Sequence, residues 1–345
     1  MKALTAPGAG GRRSTATIYE VAERAGVSIA TVSRVQRHAH LVAPETRERV
    51  QRAAHDLAYR PSRLGRSLAR GHHDSTGIVF PDLTGPYFSA VILGYEEASA
   101  RQGRSVLILA THGRSASEEQ VLDLADRVDG LVLTGRTVPD HLVEELGQRG
   151  VPVVLLARPG HGAADSVRAS NAPVAAELVA HLLDHGRRRL AFVGDPDGSS
   201  DAAERWSGFL QAHRAAGLAP AYAPTPSGYR EEDGRRAALG LLRAGDRPDG
   251  IVAANDEIAM GALRAARELG LAVPDDLAVT GWDDIPAAAH LAPPLTTVRQ
   301  PMVELGRRAA VLLTERIERT RTDPRHEVLP TELVVRSSCG CVHPT

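Results

Sequence analysis

The chain has 345 residues, with 41 Lys+Arg against 42 Asp+Glu and only two cysteines. That length provides for a small module plus one large or two medium domains, and no apolar run reaches the roughly eighteen residues of a membrane-spanning helix. Cys339 and Cys341 cannot build a disulfide framework, so a cytosolic chain without structural disulfides is expected.

The near-neutral total hides a split. Met1 to Gly71 carries thirteen Lys+Arg against five Asp+Glu, and the remainder twenty-eight against thirty-seven. A small basic module on a larger acidic body points to nucleic-acid binding at one end and a different task at the other. Residues 1–16 are rich in Gly, Ala and Arg, without the apolar stretch of an export signal, and are expected to form a disordered basic arm. Thr17 with Glu20 three residues on is a capping box, which predicts a helix from Ile18; Ile18, Val21, Ala22 and Ala25 give it one apolar face. Gly26 stops that helix, and Ser28 caps a second one running from Ile29 to about Gln36. A third runs from Pro44 to about Tyr59 with Val50, Ala53, Ala54 and Leu57 inward. Two short helices around a Gly-containing turn form a helix-turn-helix, whose second helix can enter a DNA major groove.

The stretch Thr17–Gly71 resembles the DNA-binding headpiece of the lactose-repressor (LacI) family of bacterial transcription regulators. The matching pieces are T-I-Y-E-V-A-E-R-A-G-V-S-I-A-T-V-S-R-V, V-A-P-E-T-R-E-R-V and L-A-Y-R-P-S-R-L-G-R-S-L-A-R-G. A helix-turn-helix domain over 17–60 and a hinge over 61–72 are implied. Arg34 can donate two hydrogen bonds to a guanine edge, or it stands as a solvated surface charge. Ile29 and Ala30 stand where the family reads bases; Ile29 either meets a thymine methyl or fills the core. Ser28, Thr31 and Ser33 suit phosphate oxygens. The resemblance adds DNA contacts at Thr17, Arg37 and Tyr59, and in the hinge at Ser62, Arg63, Arg66 and Leu68. Leu68 is either a minor-groove wedge or a plain linker residue. Three positions depart from the family pattern. Gln36-Arg37 replaces Leu-Asn, Ala43 removes a cap worth about 1 kcal/mol, and Gly65 weakens the hinge helix by about another 1 kcal/mol. A hinge that folds only on DNA is therefore expected.

From Ser75 onward, short apolar runs alternate with helical stretches. Strands are predicted at Thr76–Phe80, Ser105–Ala110, Gly130–Thr134, Val151–Leu156, Leu190–Gly194, Gly250–Ala253 and Leu277–Gly281. Helices are predicted at, among others, Tyr87–Gln102, Pro173–Gly186, Ala202–Gly217 and Glu257–Leu269. The alternation implies parallel sheets covered by helices on both faces, with ligands beyond the carboxyl ends of the strands. Here too the chain resembles the family, through P-D-L-T-G-P-Y-F at 81–88, A-E-R-W-S-G-F at 203–209, A-N-D-E at 254–257, G-W-D-D at 281–284, L-T-T-V-R-Q at 295–300 and a last strand L-P-T-E-L-V-V-R at 329–336. What the resemblance implies is a bilobed fold over 73–345, like that of periplasmic binding proteins. Its two doubly wound parallel sheets form lobes discontinuous in sequence, with crossovers near Ser170-Asn171 and Leu295–Gln300.

By position, effector contacts fall on Tyr87, Phe88, Arg205, Asn255, Asp283, Trp282 and Gln300. The set suits a small polyhydroxy ligand: Arg205 is a planar fork of donors, Asp283 accepts, Asn255 does both, and the aromatics offer flat faces. The alternatives are an Arg205–Asp283 pair across the cleft, and Phe88 and Trp282 as core. Ser170-Asn171 stands where the family commonly has Asp-Asn, which removes a carboxylate. The expected protein is a homodimeric, ligand-responsive regulator, a repressor on a near-palindromic operator, with a sugar-like effector and no membrane partner. No cofactor, catalytic set or metal site is expected; Cys339, Cys341 and His343 make C-x-C-x-H, too few ligands for zinc. A solute-binding protein would need an export signal. An enzyme is not supported by any G-x-S-x-G, P-loop, G-x-G-x-x-G or H-E-x-x-H pattern.

Overall fold

The computed structural model describes residues 16–59 and 72–341. The hinge contacts expected at Ser62, Arg63, Arg66 and Leu68 lie outside the described residues, as do the arm up to residue 15 and the side chain of Arg37. The chain divides into two compact units between His73 and Asp74.

In the first unit, α1 spans Ile18–Ala25, α2 Ile29–Arg37 and α3 Pro44–Asp56. The capping box forms: Thr17 N–H donates to Glu20 Oε2 at 2.6 Å, and Glu20 N–H to Thr17 Oγ1 at 3.4 Å. Gly26 ends α1 at φ +63°, a left-handed conformation that favours glycine. Ser28 caps α2 by accepting from Thr31 N–H at 3.2 Å. Ala43 supplies no cap to α3, as its side chain dictates. Val21, Ala22, Ala25, Val32, Val35, Val50 and Ala53 form the core, with Val27 and Tyr59 packed against it.

The second unit holds two lobes. The first contains β1 (Ser75–Phe80), α4 (Pro86–Arg101), β2 (Ser105–Ala110), α5 (Ser117–Ala125), β3 (Leu131–Thr134), α6 (Asp140–Gln148), β4 (Val153–Leu156) and β5 (Asp165–Ala169). The chain then crosses at Ser170-Asn171. In the second lobe lie α7 (Ala172–Asp184), β6 (Leu190–Val193), α8 (Ser200–Ala215), α9 (Glu231–Arg243), β7 (Gly250–Ala253), α10 (Asp256–Glu268), β8 (Ala278–Thr280) and β9 (Thr297–Arg299). It returns for α11 (Met302–Ile317) and β10 (His326–Leu329), then crosses again to β11 (Glu332–Val334). The first sheet has the order β10-β5-β4-β3-β1-β2, all parallel; the second is β6-β7-β8, also parallel, beside an antiparallel β9–β11 pair. Strands such as β1, β3 and β4 are buried throughout, which is why they read as unbroken apolar runs.

Two expectations change here. The run 329–336, expected as one last strand, is split at Pro330 into β10 and β11 on different sheets, which adds a third crossover. The second crossover falls after Gln300, because 297–299 is itself a strand of the second lobe. In the first lobe α4 and α11 touch backbone to backbone. A Cβ on Gly94 would lie 1.9 Å from Val303 O, and one on Gly306 2.0 Å from Val91 O, so only glycine permits this approach.

Candidate functional site

On the first unit, the outward face of α2 is open to solvent. Val32 and Val35 point into the core, which leaves Ala30 and Arg34 exposed and Ile29 39% exposed. Ile29 is therefore available to a partner and is not the core residue of the alternative reading. Ser28 is exposed, but its hydroxyl is engaged as the cap of α2 and lies 3.0 Å from Thr31 Oγ1. Thr31 and Ser33 are half-buried. Thr17 is held in its capping box, and Tyr59 packs on the core. The sequence reading passed over Tyr19, which is 67% exposed on α1.

In the second unit, the loops after the strands converge on a cleft of about 320 Å³ between the lobes. That volume is at the lower end of the ~300–1,000 Å³ range of small-molecule sites. From the first lobe come Asp82, Tyr87 and Phe88 after β1, Thr134 to Thr137 after β3, and Ala157 after β4. From the second come Ser199, Asp201 and Arg205 on and before α8, Tyr229 and Arg230 before α9, Asn255 after β7 and Asp283 after β8; Gln300 stands at a crossover. Six of the seven expected effector residues line the cleft together.

Arg205 is the best-held of them. Its Nε donates to Asn171 Oδ1 at 2.9 Å, its Nη1 to Ala254 O at 2.6 Å, and its guanidinium lies 4.5 Å from the Trp282 ring centre. The carboxylate nearest to it is Asp201 at 3.8 Å, on the next turn of α8, so it does not form the expected alternative pair with Asp283. Trp282 is the exception among the seven. Only 1% exposed, it belongs to the second-lobe core beneath the cleft, where its face supports Arg205. Phe88 packs on the first-lobe core and also lines the cleft.

Asp283 has φ +119° and Asp284 +54°, both in the left-handed range. Such strain persists only where surrounding contacts enforce it. Arg299 Nε at 2.8 Å and Arg336 Nη2 at 2.6 Å hold the Asp284 carboxylate, and Gln300 Nε2 donates to Asp283 Oδ1. Burial pushes the Asp283 carboxyl up to about 8, with Arg205 opposing and Asp256 adding to the rise. Burial also pushes Asp256, behind it, up to about 7. Asn255 uses both ends of its amide: Oδ1 caps α10 through Ile258 N–H at 2.9 Å, and Nδ2 donates to Tyr229 O at 3.0 Å.

Three buried polar atoms on the cleft wall have no partner: Tyr87 Oη, Thr134 Oγ1 and Gln300 Oε1. Burial raises the Tyr87 phenol, so it stays a neutral donor. Buried polar groups are nearly always satisfied, so these three atoms are available to polar partners in the cleft. Among the described residues that line the cleft there is no histidine or cysteine. Contacts from each side tie the lobes across it. Arg230 pairs with Asp82, which holds that carboxyl down at about 2, and Arg136 Nη1 donates to Asp197 O. Asp82, Asp201, Tyr229 and Arg230 were missed in the sequence. The strand-end rule reaches the first two, whereas Tyr229 and Arg230 follow an irregular stretch that no periodicity announces.

Comparison with known proteins agrees with both units. Residues 17–62 match the model for bacterial regulatory proteins of the lacI family, and residues 179–339 that for a periplasmic binding protein-like domain. The HTH-type transcriptional repressor CytR of Escherichia coli (strain K12) is 32% identical over 334 residues, covering 95% of this chain and 97% of the relative. A solved transcriptional regulator CelR–cellobiose complex is 33% identical with a TM-score of 0.71, covering 94% and 99% of the two chains. The lac repressor dimer bound to operator and the anti-inducer ONPF is 29% identical with a TM-score of 0.83, at the same coverage. With its helix-turn-helix unit, its two-lobed unit and relatives matched over nearly their whole length, this chain belongs to the lacI family of bacterial regulatory proteins.

Proposed function

We propose that this chain is a cytoplasmic transcriptional repressor that binds a near-palindromic operator as a homodimer and is controlled by a small carbohydrate-class effector in the cleft. The observation that carries the effector half is the set of unpartnered buried atoms, Tyr87 Oη, Thr134 Oγ1 and Gln300 Oε1, in the cleft that Arg205 and Asp283 also line. A polyol has hydroxyls that both donate and accept, so it can satisfy all five groups at once. The DNA half rests on the exposed face of α2, where Arg34 would read a guanine edge while Ser28, Thr31 and Ser33 contact phosphates. The work is regulatory and not catalytic: the strained and titrating groups of the cleft are positioned to bind. An effector changes operator affinity only by its differential affinity for two lobe arrangements.

The test is fluorescence anisotropy with labelled DNA from the chain's own promoter region, over a salt series, with mono- and disaccharides added in turn. Tight, salt-dependent binding that one sugar shifts severalfold is the expected result. Salt-independent or absent DNA binding would overturn the regulator. A sugar panel that leaves both operator affinity and melting temperature unmoved would overturn the carbohydrate assignment.

A further inference from the structure

Both cysteines and two histidines of the second lobe converge away from the cleft. His181 and His185 stand one turn apart at the C-terminal end of α7, and Cys339 and Cys341 follow β11. Cys341 Sγ lies 3.0 Å from His185 Nε2 and 3.6 Å from His181 Nε2, and Cys339 Sγ lies 3.3 Å from His181 Nε2. The donor atoms of His181, His185 and Cys341 all fall within 4.8 Å of one another. We propose that His181, His185, Cys339 and Cys341 form a tetrahedral site for a borderline-soft divalent cation, Zn²⁺.

The dimensions fit. Zinc takes thiolate at ~2.3 Å and imidazole at ~2.0–2.1 Å, so a tetrahedron sets its S···N separations at about 3.5 Å. The observed Cys341–His185, Cys339–His181 and Cys341–His181 separations of 3.0, 3.3 and 3.6 Å need adjustments of a few tenths of an ångström. Cys339 stands outside the group that His181, His185 and Cys341 form within 4.8 Å, so its thiol must swing inward to complete the tetrahedron. The outer groups fit as well. His185 Nδ1 is 2.9 Å from His181 O, so the carbonyl takes its N–H and leaves the Nε2 lone pair toward Cys341. Thr296 Oγ1 donates to Cys339 Sγ at 3.1 Å, which favours thiolate, while the Cys339 thiol donates to Arg336 O at 3.2 Å, a bond that metal binding would replace. Binding forms two metal–sulfur and two metal–nitrogen bonds while the two thiols release their protons to solvent. The divalent cation and two thiolates leave the site neutral, and no oxidant is required. Sequence spacing could not reveal it, because about 155 residues separate the two halves. The cation would clamp the segment after β11 onto α7. Ten residues of helix, about 15 Å, separate His181 from Asn171, which holds Arg205 of the cleft, so this site and the effector site stand or fall separately.

The experiment uses the full chain without an affinity tag, reduced and stripped by chelator, then titrated with Zn²⁺ and with Co²⁺. Expected are a single equivalent of zinc that survives gel filtration and two thiols shielded from a thiol reagent until chelator is added. The cobalt form should show thiolate charge-transfer and tetrahedral d–d absorption. His185→Ala and Cys341→Ser change partly exposed positions, and each should weaken zinc binding by more than about 100-fold, since even outer-shell changes cost ~10–100-fold. Circular dichroism checks that both variants remain folded. A wild-type chain that retains no zinc, cobalt absorption without the thiolate band, or folded variants that hold zinc undiminished would each overturn the proposal.

Discussion

An effector held through the Asp283 carboxylate, as proposed, should bind in a pH-dependent way. Its carboxyl is pushed up to about 8 by burial, against ~3.9 for a free side chain, so only about one-tenth is ionised at pH 7. Hydroxyls that donate to the carboxylate favour the charged form, and an effector that needs that form selects the minor species. Apparent affinity should then rise about tenfold per pH unit from 6 to 8 and level off above, and each binding event at pH 7 should release close to one proton. Arg205, Asp201 and Asp256 are the charged neighbours, and Asp256, raised to about 7, titrates in the same window. Asp283→Asn keeps the shape but removes the ionisation, so it should bind weakly at every pH with no proton release attributable to this position. Stability runs the other way from affinity. A folded pKa above the unfolded one stabilises the fold below about pH 4, and that contribution is lost as pH rises through 8. The ligand-free melting temperature should therefore fall between pH 5 and 8, less steeply in Asp283→Asn. Calorimetric titration in two buffers of different ionisation enthalpy measures both affinity and proton count. Affinity flat from pH 6 to 9 without proton release, matched by undiminished binding in Asp283→Asn, would refute the reasoning.

Arg34→Ala should lose about 1–3 kcal/mol on the chain's own operator and discriminate less at one base pair, read by anisotropy on single-base operator variants. Asp165→Asn should destabilise by about 3–5 kcal/mol in urea titration, because the 0%-exposed carboxylate loses its pairs with Arg316 and Arg321. Burial raises Asp165, but those guanidinium groups and Arg325 N–H lower it further, so the net shift is down. Its stability contribution is present above the unfolded pKa and lost as pH falls, an acid slope that Asp165→Asn should lack. Gly306→Ala places a methyl 2.0 Å from Val91 O, and the forced separation of α11 from α4 should cost about 1–3 kcal/mol or more, lowering the urea midpoint.

What could be read in the sequence was what local chemistry decides. Thr17, Glu20, Gly26 and Ser28 set the first two helices through contacts no more than three or four residues long, and the doubly buried strands announced themselves as apolar runs. β5 escaped notice because Asp165 and Arg168 interrupt its pattern. Its buried carboxylate is tolerable only through arginines about 150 residues further on. The loop 281–284 shows the same limit within the site. Asp283 was legible as a strand-end acceptor, but the left-handed turns at Asp283 and Asp284 leave the neighbouring Trp282 in the core, which residue type alone does not disclose. The flagged exchange at Ser170-Asn171 proved informative in a different way. Asn171, 1% exposed, receives Arg205 on its carbonyl oxygen and donates to Asp201 at 3.0 Å, so it orders the cleft through its neighbours.

The position of Gln300 suggests why occupancy of this cleft can act on the lobes at all. Its side-chain nitrogen holds Asp283, its side-chain oxygen is unpartnered on the cleft wall, and its backbone begins a crossover. The other two crossovers are joined to each other, Thr331 Oγ1 donating to Ser170 O at 2.7 Å. Across the mouth, the Arg230–Asp82 pair spans the two lobes, yet it is exposed and so contributes little. One hydrogen bond gained in a single arrangement, ~0.5–1.5 kcal/mol net, changes the population ratio by only about 2- to 13-fold. A shift from 1:99 to 99:1 needs about 5.5 kcal/mol of differential binding. A ligand meeting Gln300 alone cannot supply that. One that engages Tyr87 and Thr134 from the first lobe together with Arg205, Asp283 and Gln300 from the second and its crossover can, because most of those contacts exist only when the lobes are near each other.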